Sequence, residues 1–191
     1  MIKRVLLWGS VALVLLAAGF IALFKPARVL VPQVTGMTCV SDVLCLDDPA
    51  FTREAAALRD AAMAQVSARL GPFEVPPRVL FCRFEGCFDR FGDPRIKAQN
   101  VGRFGMVINA TGWSQYIVAH EMIHQRQAEV LGTIATAYTL PRWFVEGMAY
   151  SLSDDPRETL PMPQLDRYRA RFNAWAVAGG DWRNPGELAP D

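Results

Sequence analysis

The sequence predicts an α+β domain behind an N-terminal transmembrane helix, on three observations. Residues 5–24 form a run of 20 uncharged residues. Between residues 76 and 109, β-forming residues cluster in short runs separated by turn signals. The stretches on either side carry apolar residues at a 3.6-residue period. A small antiparallel or mixed sheet with helices packed against it follows from this order of elements. The chain has 191 residues, enough for one well-filled core. A formal net charge of +1 leaves no basic field for nucleic acid.

The elements follow in chain order. The run Val5–Phe24 is opened by Lys3 and Arg4 and closed by Lys25, Pro26 and Arg28. As a helix it would span roughly 30 Å, the thickness of a bilayer's hydrocarbon core. Residues 1–28 are therefore expected to be a membrane anchor. A cleaved signal peptide is the competing reading, with Ala17-Ala18-Gly19 as its processing site. Basic residues flank both ends, so the positive-inside rule leans only slightly to a cytoplasmic N-terminus.

Residues 29–47 show no periodicity and read as a linker with a small Cys39–Cys45 loop. The four cysteines, Cys39, Cys45, Cys82 and Cys87, form two close pairs. Two local disulfides in an oxidising compartment are the expectation, with zinc ligation as the rival, although neither pair has C-x-x-C spacing. Together with the anchor, this places residues 29–191 on the periplasmic or extracellular face.

Residues 48–191 read as the folded domain. Asp48-Pro49 has the form of a helix start. The period of Phe51, Ala55, Leu58, Ala62, Val66 and Leu70 extends that helix to Gly71-Pro72. "RVLFCRF" (78–84) and "RFGMVIN" (103–109) read as strands, separated by turns at Glu85-Gly86 and Gly92-Asp93-Pro94. Asn109-Ala110-Thr111 matches a glycosylation sequon, a tripeptide common by chance.

Ser114 offers an N-cap for a helix from about Gln115 to Leu131, closed by Gly132. Further helices are expected over about 141–152 and 163–178. The last carries a core stripe of Leu165, Tyr168, Phe172 and Trp175. Its Arg167, Arg169 and Arg171 read as a solvated face in preference to a patch for lipid headgroups.

Both histidines of the chain lie in "HEMIH", residues 120–124. On a helix, positions i and i+4 project from one face, so His120 and His124 can aim at a single ion. Neutral imidazoles bind Zn²⁺ without quenching its charge, and zinc brings the pKa of its water toward about 7. Glu121 is placed to take the proton from that water and pass it to a leaving amine. Without such a role, Glu121 would be an unpaired charge among Ile117, Val118, Ala119, Met122 and Ile123. Zinc wants a third protein ligand. In "LPRWFVEGMAYSL" one carboxylate, Glu146, interrupts an otherwise apolar helix, 22 positions after His124. A cation is its natural partner.

HEMIH followed by W-F-x-E-G-x-A resembles the gluzincin metallopeptidases over about residues 75–155. The likeness is greatest to the small peptidase-MA-like proteins, which keep little beyond a zincin-like catalytic core. The resemblance implies one Zn²⁺ held by His120, His124 and Glu146, with Glu121 as general base. It implies that Gly147 and Ala149 are small so that the two ligand-bearing helices pack closely. It also implies that the strand near Gly105–Asn109 pairs with an extended peptide or protein substrate.

The chain departs from the thermolysin pattern at Tyr150, where an acid would orient a zinc histidine. Asp154 and Asp155, one turn later, are candidates for that duty. "GRFGMVINA" lacks the glutamate of the aminopeptidase G-x-M-E-N strand, which argues against strict aminopeptidase action. With both histidines committed, the donor to a transition-state oxyanion is Tyr150, Tyr168, an arginine or a backbone amide. The reading that results is a membrane-tethered zinc metallopeptidase of the cell envelope. Two alternatives stay open: a zinc-binding scaffold or assembly factor without turnover, and a zinc hydrolase of a non-peptide bond.

Overall fold

The computed structural model describes residues 2–191, without the side chains of residues 2–7, 11, 17 and 18. Five helices and five short strands are present among them: α1 (Ile2–Leu23), β1 (Thr38–Ser41), β2 (Leu44–Leu46), α2 (Thr52–Leu70), β3 (Val79–Phe81), β4 (Ala98–Asn100), β5 (Met106–Ile108), α3 (Gln115–Leu131), α4 (Arg142–Leu152) and α5 (Pro163–Val177).

The sheet runs in the order β1-β2-β3-β5-β4. Its three central strands, β2, β3 and β5, are parallel, and the edge strands β1 and β4 are antiparallel to their neighbours. Each central strand is only three residues long and buried throughout: Leu-Cys-Leu, Val-Leu-Phe and Met-Val-Ile. Successive side chains on a strand point to opposite faces, so such uninterrupted apolar runs are what a sheet covered on both sides requires. Leu44, Leu46, Val79, Phe81, Met106 and Ile108 face the core shared with α2, α3 and α4. Cys45, Leu80 and Val107 face the other way, onto Val29, Met37, Phe88 and Phe91.

Residues 29–47, expected to be a linker, are part of this domain. They supply β1 and β2, and Val29 and Met37 are buried. Cys39–Cys45 joins the paired strands β1 and β2, and Cys82–Cys87 closes the turn after β3. All four cysteines are thereby bonded, which removes zinc ligation as their role. The sequon's Asn109 donates its amide to Pro94 O (3.0 Å) and Ile96 O (2.9 Å), so that nitrogen is engaged in holding a loop.

The transmembrane part of the expected fold is overturned. Among the described residues, no helix is long and apolar enough to cross a membrane. A span needs about 20 consecutive, predominantly apolar residues. The positions of the expected span at 5–7, 11, 17 and 18 lie outside the described side chains. The described remainder of α1 includes Gly9, Ser10 and Gly19, and no described stretch has the required length. Arg28, read above as a flank of the span, instead closes the end of α1. Its guanidinium donates to Ile21 O (3.1 Å), Ala22 O (2.7 Å) and Arg90 O (2.8 Å), tying the helix to the domain.

Asp48 caps its turn as expected, its carboxylate accepting from Ala50 N at 2.9 Å, but a 3-10 turn intervenes before α2 begins at Thr52. α4 is buried between α3 and α5. Phe144 meets Trp175 at 5.2 Å between ring centroids and Phe172 at 6.0 Å. Two α4 backbone amides, of Arg142 and Trp143, donate to the Asp191 carboxylate at 3.0 and 2.9 Å, which supplies the cap that Pro141 cannot. Gly147 does allow a close approach, though to α5 and not to α3: a β-carbon there would collide with Tyr168 O and lie 2.8 Å from Phe172 Cβ. We expect Gly147→Ala to lower unfolding stability by about 1–3 kcal/mol through overpacking. Denaturant titration of the two proteins side by side checks this, and equal midpoints would show that α5 yields freely.

Candidate metal centre

Ile117, Val118, Ala119, Met122 and Ile123 of α3 are buried, and His120, Glu121 and His124 of the same helix line a cavity of about 910 Å³. α4 enters from the other side with Glu146, on the same cavity. The two imidazole Nε2 atoms are 3.2 Å apart. Glu146 Oε2 lies 3.5 Å from His120 Nε2 and 3.7 Å from His124 Nε2. Two ligands of one tetrahedral zinc, each 2.0–2.1 Å from it, sit about 3.3 Å apart. The triangle therefore has the size that zinc needs, and the nitrogen and carboxylate donors suit the ion. His120, His124 and Glu146 form a site that can hold a metal.

The charges are arranged to match. Burial would raise the Glu146 carboxyl, but the two imidazoles beside it hold it well below the usual carboxylate range. Its second oxygen, Oε1, accepts from Arg142 at 2.6 Å, which leaves Oε2 to face the histidines. Burial depresses His124, yet Glu146 above all, with Glu121 and Gln127, outweighs it and carries the ring up to about 9. Glu121 is 8% exposed, and burial raises its carboxyl against the pull of the two histidines. The backbone N–H of Asn100 on β4 supports that carboxylate, and the Asn100 side chain donates to Glu121 O at 3.2 Å.

Of the other expected residues, Tyr150 is at the site. Its ring packs edge-on against His120, 4.4 Å between centroids, where an acid was absent from the motif. Burial and then the charge of Glu146 push its hydroxyl up to about 12. Tyr168 does not line the cavity. Its hydroxyl is engaged with the Gln164 amide on α5. Asp155 lines the cavity, and its carboxylate holds Arg157, which lies 6.0 Å over the Tyr150 ring. Burial would raise the Asp155 carboxyl, but the Arg157 hydrogen bonds lower it. Asp154 points away, onto Arg69 at 2.8 Å.

The substrate-pairing strand expected near Gly105–Asn109 is corrected by the sheet order. β5 lies between β3 and β4, with both edges hydrogen-bonded. The edge strand at the cavity is β4, and Ala98, Gln99 and Asn100 line it. Two further residues at the centre escaped the sequence reading. One is Arg142, four positions before Glu146 on the same helix, a spacing that could have found it. The other is Gln127, whose Oε1 lies 2.9 Å from His124 Nδ1. A glutamine that is fully buried on a ligand-bearing helix is a signal only once burial is known.

Comparison of this chain with protein-family models, with curated proteins and with solved structures finds no match. The resemblance to gluzincins therefore rests on the sequence motifs alone.

A metal must displace the proton that Glu146 holds on His124. A group with a raised pKa contributes stability below its unfolded value, 6.5, and loses it as the pH rises through about 9. The metal-free protein should accordingly lose stability across that window, while zinc affinity climbs roughly tenfold per pH unit and levels off above it. Calorimetric titration with zinc in a pH series checks both the slope and the proton release.

Proposed function

We propose that the protein is a zinc-dependent metallopeptidase that hydrolyses peptide bonds in an extended polypeptide. The observation that carries the reading is the convergence of His120, His124 and Glu146 on one point, with Glu121 beside them in the same cavity. When bound there, zinc supplies Lewis acidity to the attacking water and the scissile carbonyl.

The chain's own residues supply the rest. Glu121 accepts the proton of the attacking water and delivers it to the departing amine, with no covalent bond to the protein. Its raised pKa brings it nearer to the working pH, which suits a group that must both take and give a proton. Tyr150 keeps its proton at any neutral pH and donates to the oxygen on which negative charge develops. Arg142 holds Glu146 so that one oxygen faces the histidines. The free edge of β4 accepts the substrate backbone as an added strand. Exposed apolar side chains at the rim, Ile96, Tyr138 and Met162, receive substrate side chains. Two disulfides favour an oxidising setting, periplasmic or extracellular.

Glu121→Gln keeps all three metal donors and removes the base. We expect it to bind zinc like the wild type and to lose about 10²–10⁴-fold in kcat on a peptide substrate library. Undiminished turnover in the variant would exclude Glu121 as the base. No turnover by either zinc-loaded protein would favour a non-catalytic zinc scaffold.

A further inference from the structure

We propose that Gln127 is a positioning residue for the metal centre, whose side-chain amide sets the tautomer of His124 and ties that ligand to the helix carrying Glu146. The inference rests on the metallopeptidase reading for its purpose, but its geometry stands without it.

Gln127 is fully buried and cut off from bulk solvent, and a buried amide is held by hydrogen bonds. Its Nε2 lies 3.0 Å from Val145 O. A carbonyl oxygen only accepts, so the NH₂ end of the amide must face Val145 and Oε1 must face His124. Oε1 also only accepts, and it lies 2.9 Å from His124 Nδ1. Nδ1 therefore carries a proton. In the neutral ring, Nε2 is then the nitrogen with the lone pair, and it points at His120 Nε2 and Glu146 Oε2. One buried amide thus determines which nitrogen of His124 is available to an ion.

The same amide determines where that nitrogen sits. Val145 precedes Glu146 on α4, whereas Gln127 and His124 are on α3. The chain of contacts from His124 Nδ1 through Gln127 to Val145 O crosses between the two helices that bring the ligands together. Hydrogen-bonded partners of metal-binding histidines typically affect affinity by about 10–100-fold. The His120 ring meets a different neighbour, the Tyr150 ring, at 4.4 Å between centroids.

The test uses the full chain and two variants, Gln127→Met and Gln127→Glu. Methionine fills the same space with neither donor nor acceptor. Glutamate keeps an acceptor toward Nδ1. ¹⁵N NMR of the metal-free protein across a pH series, read where the spectrum shows the His124 ring to be neutral, reports the tautomer directly. The Nδ1–H form is expected in the wild type and in Gln127→Glu, and should be lost as the dominant form in Gln127→Met. Zinc titration should show affinity about 10–100-fold weaker for Gln127→Met. An Nε2–H tautomer in the wild type would overturn the proposal with no variant needed. So would an unchanged tautomer and zinc affinity in folded Gln127→Met. Failure of the wild type to bind zinc would defeat the metallopeptidase reading and the metal-positioning role with it, whereas the tautomer would still show whether Gln127 orients His124.

Discussion

The candidate centre depends on one meeting of helices. HEMIH brings two imidazoles to one face of α3, but a third donor has to come from elsewhere in the chain, and Glu146 Oε2 arrives 3.5 and 3.7 Å from them on α4. That position is set by packing. Phe144 is locked against Trp175 and Phe172, Gly147 lets α5 approach, and the Asp191 carboxylate caps the first turn of α4. Interiors packed at crystal density deform little, so the apolar residues around α4 fix the separation of polar atoms that they do not touch.

The electrostatic arrangement has the opposite character. It places charges where burial opposes them and then supports them with partners. Glu146 is held ionised by two histidines and Arg142, and His124 is drawn toward protonation by Glu146. Glu121, in the same low-dielectric setting, is pushed toward its neutral form. Two carboxylates 25 residues apart in sequence thus acquire opposite tendencies from their surroundings, one suited to binding a cation and one to moving a proton. A bound dication would take over the role that the proton on His124 plays in the metal-free protein.

Much of this was legible in the sequence where local rules operate. α3 lies between Ser114 and Gly132, the ends expected for it, although the Ser114 side chain makes no capping hydrogen bond; α4 and α5 lie over the expected ranges; and His120, His124, Glu121 and Glu146 line one cavity. The sheet was harder to read. β2 is three residues long and buried throughout, so it shows no alternation, while β1 is a mostly exposed edge strand of four residues and β4 is a half-buried Ala-Gln-Asn, so none of the three carried a strand signal. Strand order is a tertiary property, and β5, expected to offer a free edge, accordingly lies inside the sheet with β4 at its edge. A hydrophobic run at the N-terminus invited a membrane span that the described residues do not support. Gln127 gives no signal at all in one dimension: its meaning comes from Val145, on another helix.

The most direct test of the account is the metal content of the purified full chain, wild type beside Glu146→Ala, after equilibration with zinc and removal of the excess. The geometry predicts about one zinc per wild-type chain. It also predicts loss or marked weakening of that zinc in Glu146→Ala, since two histidines alone leave the ion without its third protein donor. A correctly folded wild type that retains no zinc would contradict the account.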